Sequence, residues 1–279
     1  MKIGIAGYGF VGKATAHVLK EHHEIVIYDK FIKKYDDVSK LKTCDAVFIC
    51  VPTPMKENGE VETQIIRNFL MDFGCYCAPE EKAPVMIIRS TAVPGTTRKF
   101  NDEFRYDFAF CPEFLREKYA LEDAKNANRI VVGYKNENIV NIIEQIFHSA
   151  QPYASLKFCS YETAEFAKYS ANVTLASQIA IANELYLICD KVGAKYDDVR
   201  EIIQLDDRIG RNMDVPGPDG DFGFGGKCFP KDLNAFLYYA REQGYRPYLL
   251  EEVWRLNERV RKNRDWEKIK GATNKNLHG

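Results

Sequence analysis

Lys2-Ile3-Gly4-Ile5-Ala6-Gly7-Tyr8-Gly9-Phe10-Val11-Gly12 opens the chain, and its reading decides the fold. A run of β-branched and small residues ends in G-x-G-x-x-G and passes straight into a helical pattern. Gly7 permits a tight turn, Gly9 lets a pyrophosphate approach the backbone, and Gly12 lets helix pack on strand. The helix opening at Phe10 and Val11 then presents N–H groups and a positive dipole end to the phosphates. Alone the motif is weakly specific, but its context strengthens it. Asp29 closes the second strand pattern 17 residues after Gly12, where a carboxylate accepts from the adenosine ribose hydroxyls. An acid there favours NAD over NADP, a preference that Lys30, Lys33 and Lys34 weaken. A structural turn beside a surface acid is the plainer alternative.

Outward from this unit, apolar runs at 2–7, 24–29, 45–51, 85–89, 107–110, 129–133 and 154–158 predict strands. Helical patterns fall between them near 11–20, 62–73, 95–104 and 137–148. The alternation predicts an α/β fold with an N-terminal Rossmann-like, doubly wound parallel sheet, and the non-alternating strands suit burial on both faces. From about 160 only helices follow: one long candidate at 161–192, shorter ones at 196–204 and 231–243, and a charged one at 247–268. The expected division is a dinucleotide-binding domain at 1–158 and an all-α dimerisation domain at 159–279, with 271–279 a frayed tail. Between the later helices, 206–228 is too rich in Gly, Pro and Asp to be regular, and such loops are usually functional.

Composition narrows the class. Among 279 residues, 39 basic and 40 acidic side chains leave a net charge of −1, without the attraction a nucleic-acid or anionic-membrane binder needs. No apolar run reaches the roughly 18 residues of a membrane span, and the opening strand leaves no room for a signal peptide. The eight cysteines include no C-x-x-C pair, and no histidine flanks them at zinc spacing, so no metal is expected. Reduced thiols in a cytoplasm are the economical reading.

Chemistry concentrates at four places. Loops Cys50-Val51-Pro52-Thr53-Pro54 and Ser90-Thr91-Ala92-Val93-Pro94-Gly95-Thr96-Thr97 follow strands, where open α/β sheets bind ligands; helix capping is the alternative use of their hydroxyls. In Gly223-Phe224-Gly225-Gly226-Lys227-Cys228-Phe229-Pro230-Lys231-Asp232, Pro230 suits a first helical turn, placing Cys228 just before the helix. The dipole, Lys227 and Lys231 then favour a thiolate, with Asp232 one turn along and the glycines leaving room for a substrate. A structural cysteine after a glycine-rich turn is the competing reading. Lys168 and Asn172, four apart on the long helix, form either an oxyanion clamp or a solvated face. Glu113 and Glu117 are again four apart, directly after a strand.

Together, G-Y-G-F-V-G, V-P-T-P, S-T-A-V-P-G-T, P-E-F-L-R-E, A-E-F-A-K-Y-S-A-N, D-R-I-G and G-F-G-G-K-C-F-P-K-D resemble the UDP-glucose/GDP-mannose dehydrogenases. The resemblance implies an NAD-binding domain, a helical domain that dimerises through the helix at 161–192, and oxidation of a nucleotide sugar's C6 alcohol to a carboxylate. It implies Cys228 as the nucleophile, Lys168 and Asn172 as oxyanion donors, and Asp232 with Thr91 holding a water. Glu117 would assist thioester hydrolysis, while Glu113, Phe114, Leu115 and Gly225 would contact substrate. Thr53, Thr91, Lys34 and Lys231 would join the cofactor site, and Arg208 would reach the partner subunit's substrate.

Two departures stand out. Only 20 residues separate Asp29 from Cys50, so one strand and one helix of the usual NAD domain are expected to be lost. The motifs cover about the first two-thirds of a family member, and the third, nucleotide-holding domain is expected to be absent from this chain. Two other readings stay open: a single-step oxidation of a smaller hydroxy acid or sugar phosphate, and a non-catalytic NAD-binding remnant.

Overall fold

A computed structural model describes residues 1–77, 83–269 and 272–273. The tail expected at 271–279 lies mostly outside these residues. By contacts the chain divides into two compact units. The first holds Met1–Thr53 and Thr63–Lys168; the second holds Pro54–Glu62 and Tyr169–Gly279.

The first unit alternates as its apolar runs require. In order it holds β1 (Lys2–Ala6), α1 (Phe10–Leu19), β2 (Glu24–Tyr28), β3 (Ala46–Ile49), α2 (Gln64–Gly74), β4 (Val85–Ile88) and α3 (Thr96–Glu103). It continues with β5 (Phe108–Phe110), α4 (Ala120–Lys125), β6 (Arg129–Gly133), α5 (Glu137–Ala150) and β7 (Ser155–Cys159). Among the described residues the strands form one seven-stranded sheet in the order β2-β1-β3-β4-β5-β6-β7. β1 to β5 pair in parallel; β6 meets β5 antiparallel and runs parallel to β7, so the sheet is mixed at that edge.

Residue parity explains the double cover. Val47, Ile49, Met86, Ile88, Phe108 and Phe110 pack with Ile66, Phe69, Leu70 and Phe73 of α2. Their neighbours Ala46, Phe48, Val85, Ile87 and Ala109 pack with Leu19 of α1 and Ile139, Ile143, Ile146 and Phe147 of α5. A strand buried on both faces cannot alternate in polarity. Between β2 and β3 lie only 3₁₀ turns at Lys33–Tyr35 and Val38–Thr43. The missing strand leaves β1 flanked by β2 and β3, and the order still reverses there. That reversal is where such sheets bind dinucleotides.

α6 (Tyr161–Val192) supplies residues to both units, which part at Lys168/Tyr169. The second unit continues with α7 (Tyr196–Ile203), α8 (Cys228–Glu242) and α9 (Tyr248–Val260). Val173, Ala176 and Ala180 of α6 pack with Phe224, Leu233, Leu237 and Val253. Ala182 and Cys189 pack with Tyr196, Met213 and Val215. α9 ends earlier than the charged pattern suggests, and 265–267 forms a separate 3₁₀ turn.

Candidate active site

The first unit carries a dinucleotide cradle. Gly7 has a φ of +93°, reachable by few residues other than glycine, and its Cβ would press on the Cys50 carbonyl. A Cβ on Gly12 would collide with the Gly7 carbonyl, so turn and helix close only with both bare. Gly9 differs: nothing lies within 4 Å of where its Cβ would stand. It caps α1 without a side-chain bond, and the first turn, with Phe10 and Val11, carries no acid. Open backbone, N–H groups and an unopposed dipole fit a pyrophosphate. Asp29 accepts from Tyr8 N at 2.7 Å and Phe31 N at 2.9 Å, and its remaining lone pairs fit ribose hydroxyls. Lys34 is exposed, its Nζ 5.3 Å from the Tyr35 ring centre.

The loops after β3 and β4 are tied together. Ser90 Oγ donates to the Ile49 and Val51 carbonyls, at 3.1 and 2.6 Å. Thr53 is buried and Thr91 half-buried. Hydroxyl capping of α3, the alternative use of these loop residues, is not what the structure shows: Gly95, at φ +94°, is the N-cap and supplies no side-chain bond. Glu165 of α6 does the capping, accepting from Gly95 N, Thr97 N and Thr97 Oγ1, each at 2.7 Å. Burial pushes its carboxyl up to about 7, against the opposing pull of the Thr97 and Gly95 bonds.

The equal spacing of Glu113 and Glu117 does not make them neighbours, because 112–116 is not helical. Glu113 is buried and accepts from Lys168 Nζ at 3.0 Å and Leu115 N at 2.6 Å. Glu117 is exposed on a 3₁₀ turn. Phe114 lies beside two cations, with the Arg129 guanidinium 4.3 Å and Lys168 Nζ 5.5 Å from its ring centre. Lys168, 3% exposed, is therefore held by an acid 55 residues away, and the solvated-face alternative fails.

In the second unit, Cys228 is the first residue of α8 rather than the residue before it, with Lys227 as N-cap and Pro230 in the first turn. The helix dipole there stabilises negative charge. Asp232, 1% exposed, accepts from Asn172 Nδ2 and from Lys231 Nζ. Lys231, also buried, is thus held by its neighbour. Arg208 is 89% exposed along its side chain and folds back on Asp206. A Cβ on Gly225 would fall on the Arg261 guanidinium. By contrast, burial pushes Cys44 up to about 11 and Cys50 to about 12, keeping both as inert thiols. The sequence assigns no role to Glu165, Asn183, Asn257, Arg261 or Asp265. Glu165 and Asn183 lie within α6, and the other three lie in or just after the charged α9, where one more polar residue carries no signal.

The family model described as "UDP-glucose/GDP-mannose dehydrogenase family, NAD binding domain" matches residues 28–151, and that family's central domain matches 162–259. UDP-glucose 6-dehydrogenase TuaD of Bacillus subtilis is 34% identical over 235 residues, covering 81% of this chain and 49% of that protein. A UDP-glucose dehydrogenase structure from Pyrobaculum islandicum aligns with TM-score 0.83 at 26% identity, covering 92% of this chain and 68% of that one. A GDP-mannose dehydrogenase ternary complex from Pseudomonas aeruginosa aligns with TM-score 0.69 at 26% identity, covering 93% and 69%. The chain thus spans about half the length of the first of these relatives.

Proposed function

The chain belongs to the UDP-glucose/GDP-mannose dehydrogenase family, and from that premise we propose that it oxidises the C6 alcohol of a nucleotide sugar to a carboxylate. NAD, the cofactor named for the family domain matched at 28–151, accepts a hydride when bound. Gly7, Gly9, Phe10, Val11 and Gly12 hold its pyrophosphate and Asp29 its ribose, while Thr53, Thr91, Lys34 and Lys231 complete its surroundings.

The chain's own residues carry the carbon through two oxidations. Loss of hydride and proton from the alcohol leaves an aldehyde. Cys228 Sγ adds to its carbonyl carbon, giving a thiohemiacetal whose oxygen takes the proton. Loss of a second hydride together with the hydroxyl proton gives a thioester, which water cleaves to the carboxylate and the regenerated thiol. Lys168 and Asn172 donate to the oxyanion as charge develops. Asp232, with Thr91, holds the water that takes the proton, and Glu117 assists hydrolysis. Glu113, Phe114 and Leu115 contact the sugar, and Glu113 additionally fixes the Lys168 ammonium. Two copies associate along α6, and Arg208 reaches the partner's substrate.

One observation carries this reading. A cysteine opens α8, and one turn later a buried aspartate is bonded to both the α6 asparagine and a buried lysine. A single alcohol-to-carbonyl oxidation has no use for that thiol. The test is NADH production over a panel of UDP- and GDP-sugars. Two NADH per sugar consumed is the expected result; one NADH with a carbonyl product, or none on any sugar nucleotide, refutes the proposal.

A further inference from the structure

The backbone leading into Cys228 is held by side chains that the reaction scheme does not use. The Arg261 side chain, 1% exposed, spends its donors there. Nη2 donates to Asp219 at 2.7 Å, Nη1 to the Phe222 carbonyl at 3.3 Å, and Nε to the Asn263 carbonyl at 2.8 Å. Asn257, 1% exposed, accepts from Phe224 N at 2.7 Å and donates to the Phe224 carbonyl at 3.0 Å. Asp265 accepts from Gly226 N through both oxygens, each at 3.1 Å, and Asn183 accepts from Gly223 N at 3.0 Å. The backbone is thereby fixed at residues 222, 223, 224 and 226, up to two residues before the thiol.

Two glycines of the motif meet these same side chains. A Cβ on Gly223 would overlap Asn257 Oδ1. A Cβ on Gly225 would overlap the Arg261 guanidinium and press on Asp265 Oδ1. Gly225 is absent from the glycines with positive φ, so backbone conformation does not demand a glycine there. Space does, and the guanidinium fills it. A flexible arginine could ordinarily swing aside, but this one is buried and bonded at all three nitrogens.

We propose that Arg261, with Asn257 and Asp265, is a positioning cluster for Cys228, and that Gly225 is bare to admit the Arg261 guanidinium rather than the substrate. The proposal rests on Cys228 being the reacting thiol. A planar guanidinium suits the role because its donors diverge in one plane, so one side chain reaches three separate acceptors.

The test uses the full chain and a double-mutant cycle. Gly225→Ala, Arg261→Gln, their combination, and the milder Asp265→Asn are compared in kcat, KM and the rate of Cys228 alkylation by iodoacetamide, read by peptide mass mapping. Gly225→Ala is expected to lower kcat about a hundredfold, as misplacement of a reacting group by about 1 Å does. The glutamine ends short of the Cβ position, so Gly225→Ala/Arg261→Gln should exceed Gly225→Ala alone in kcat, or should fold where the single variant does not. Asp265→Asn should change kcat and the alkylation rate at least fivefold, with KM for the sugar nucleotide within twofold. A double variant no better than Gly225→Ala, or unchanged kcat and alkylation in Asp265→Asn, overturns the proposal. If the wild type oxidises no sugar nucleotide, the proposed function falls. The alkylation rates and cooperative melts of the same variants then decide this inference alone.

Discussion

At the scale of single residues, the carboxylates divide by what surrounds them. Asp29 keeps two backbone N–H partners and stays half-exposed, so it can serve a ribose and the glycine turn together. Asp29→Ala should weaken NAD binding by about 1–2 kcal/mol through loss of a charge-assisted bond. Calorimetry reads this, and tighter binding of NADP+ than of NAD+ by the wild type would contradict the assignment. Glu165 sits in the opposite environment, fully buried with three donors aimed at it. Its carboxyl titrates near 7 in the folded protein against 4.5 for the ordinary group, so the native state binds the proton more tightly. The resulting stabilisation is complete below about pH 4.5 and is lost as pH rises through about 7, on the order of 1–3 kcal/mol. Glu165→Gln cannot titrate. Its melting temperature should lose the wild-type fall between pH 5 and 7, and an identical fall in both proteins would show that another group is responsible.

At the scale of elements, α6 shows how far periodicity carries. Ala171, Leu175, Ile179, Ala182, Leu185 and Tyr186 lie along its apolar stripe in the sequence. Most of that stripe is spent inside the second unit: Ala182, Leu185 and Tyr186 pack around Tyr196 and Met213, and Ile179 packs around Phe224. Exposed apolar positions in the part of α6 that belongs to the second unit include Leu175, Ile181, Leu187, Ile188 and Val192, with Ile181 54%, Ile188 53% and Val192 70% exposed. Ile181, Ile188 and Val192, seven and four residues apart, follow the spacing of a helix–helix seam. If two copies associate along α6, this is the face they use. Ile181→Glu/Ile188→Glu should then halve the mass found by light scattering at micromolar concentration. A wild type already monomeric there would remove the dimer and the cross-subunit role of Arg208 with it.

At the scale of the whole molecule, the cradle and Lys168 belong to one unit, and Cys228, Asn172 and Asp232 belong to the other. Cys228→Ser should therefore leave NAD binding intact and stop turnover at or before the second oxidation, because an alkoxide is a poorer acyl carrier. Near wild-type yield of two NADH per sugar from the serine variant would make Cys228 structural. How much of this was legible depended on the range of the interaction. The seven strand runs, the G-x-G-x-x-G turn and α6 at 161–192 are local patterns, set by side-chain volume and branching within a few residues, so the amino-acid sequence by itself determined them. The short Asp29–Cys50 interval likewise determined that a strand was missing. The partners of the polar residues were decided only by tertiary structure. Glu165 meets Thr97 across 68 positions, Asn172 meets Asp232 across 60, Lys168 meets Glu113 across 55, and Asn257 meets Phe224 across 33. Spacing along one helix cannot reveal such pairs. A buried polar group must be satisfied by whatever the packing of other elements brings to it, and only the folded chain sets that.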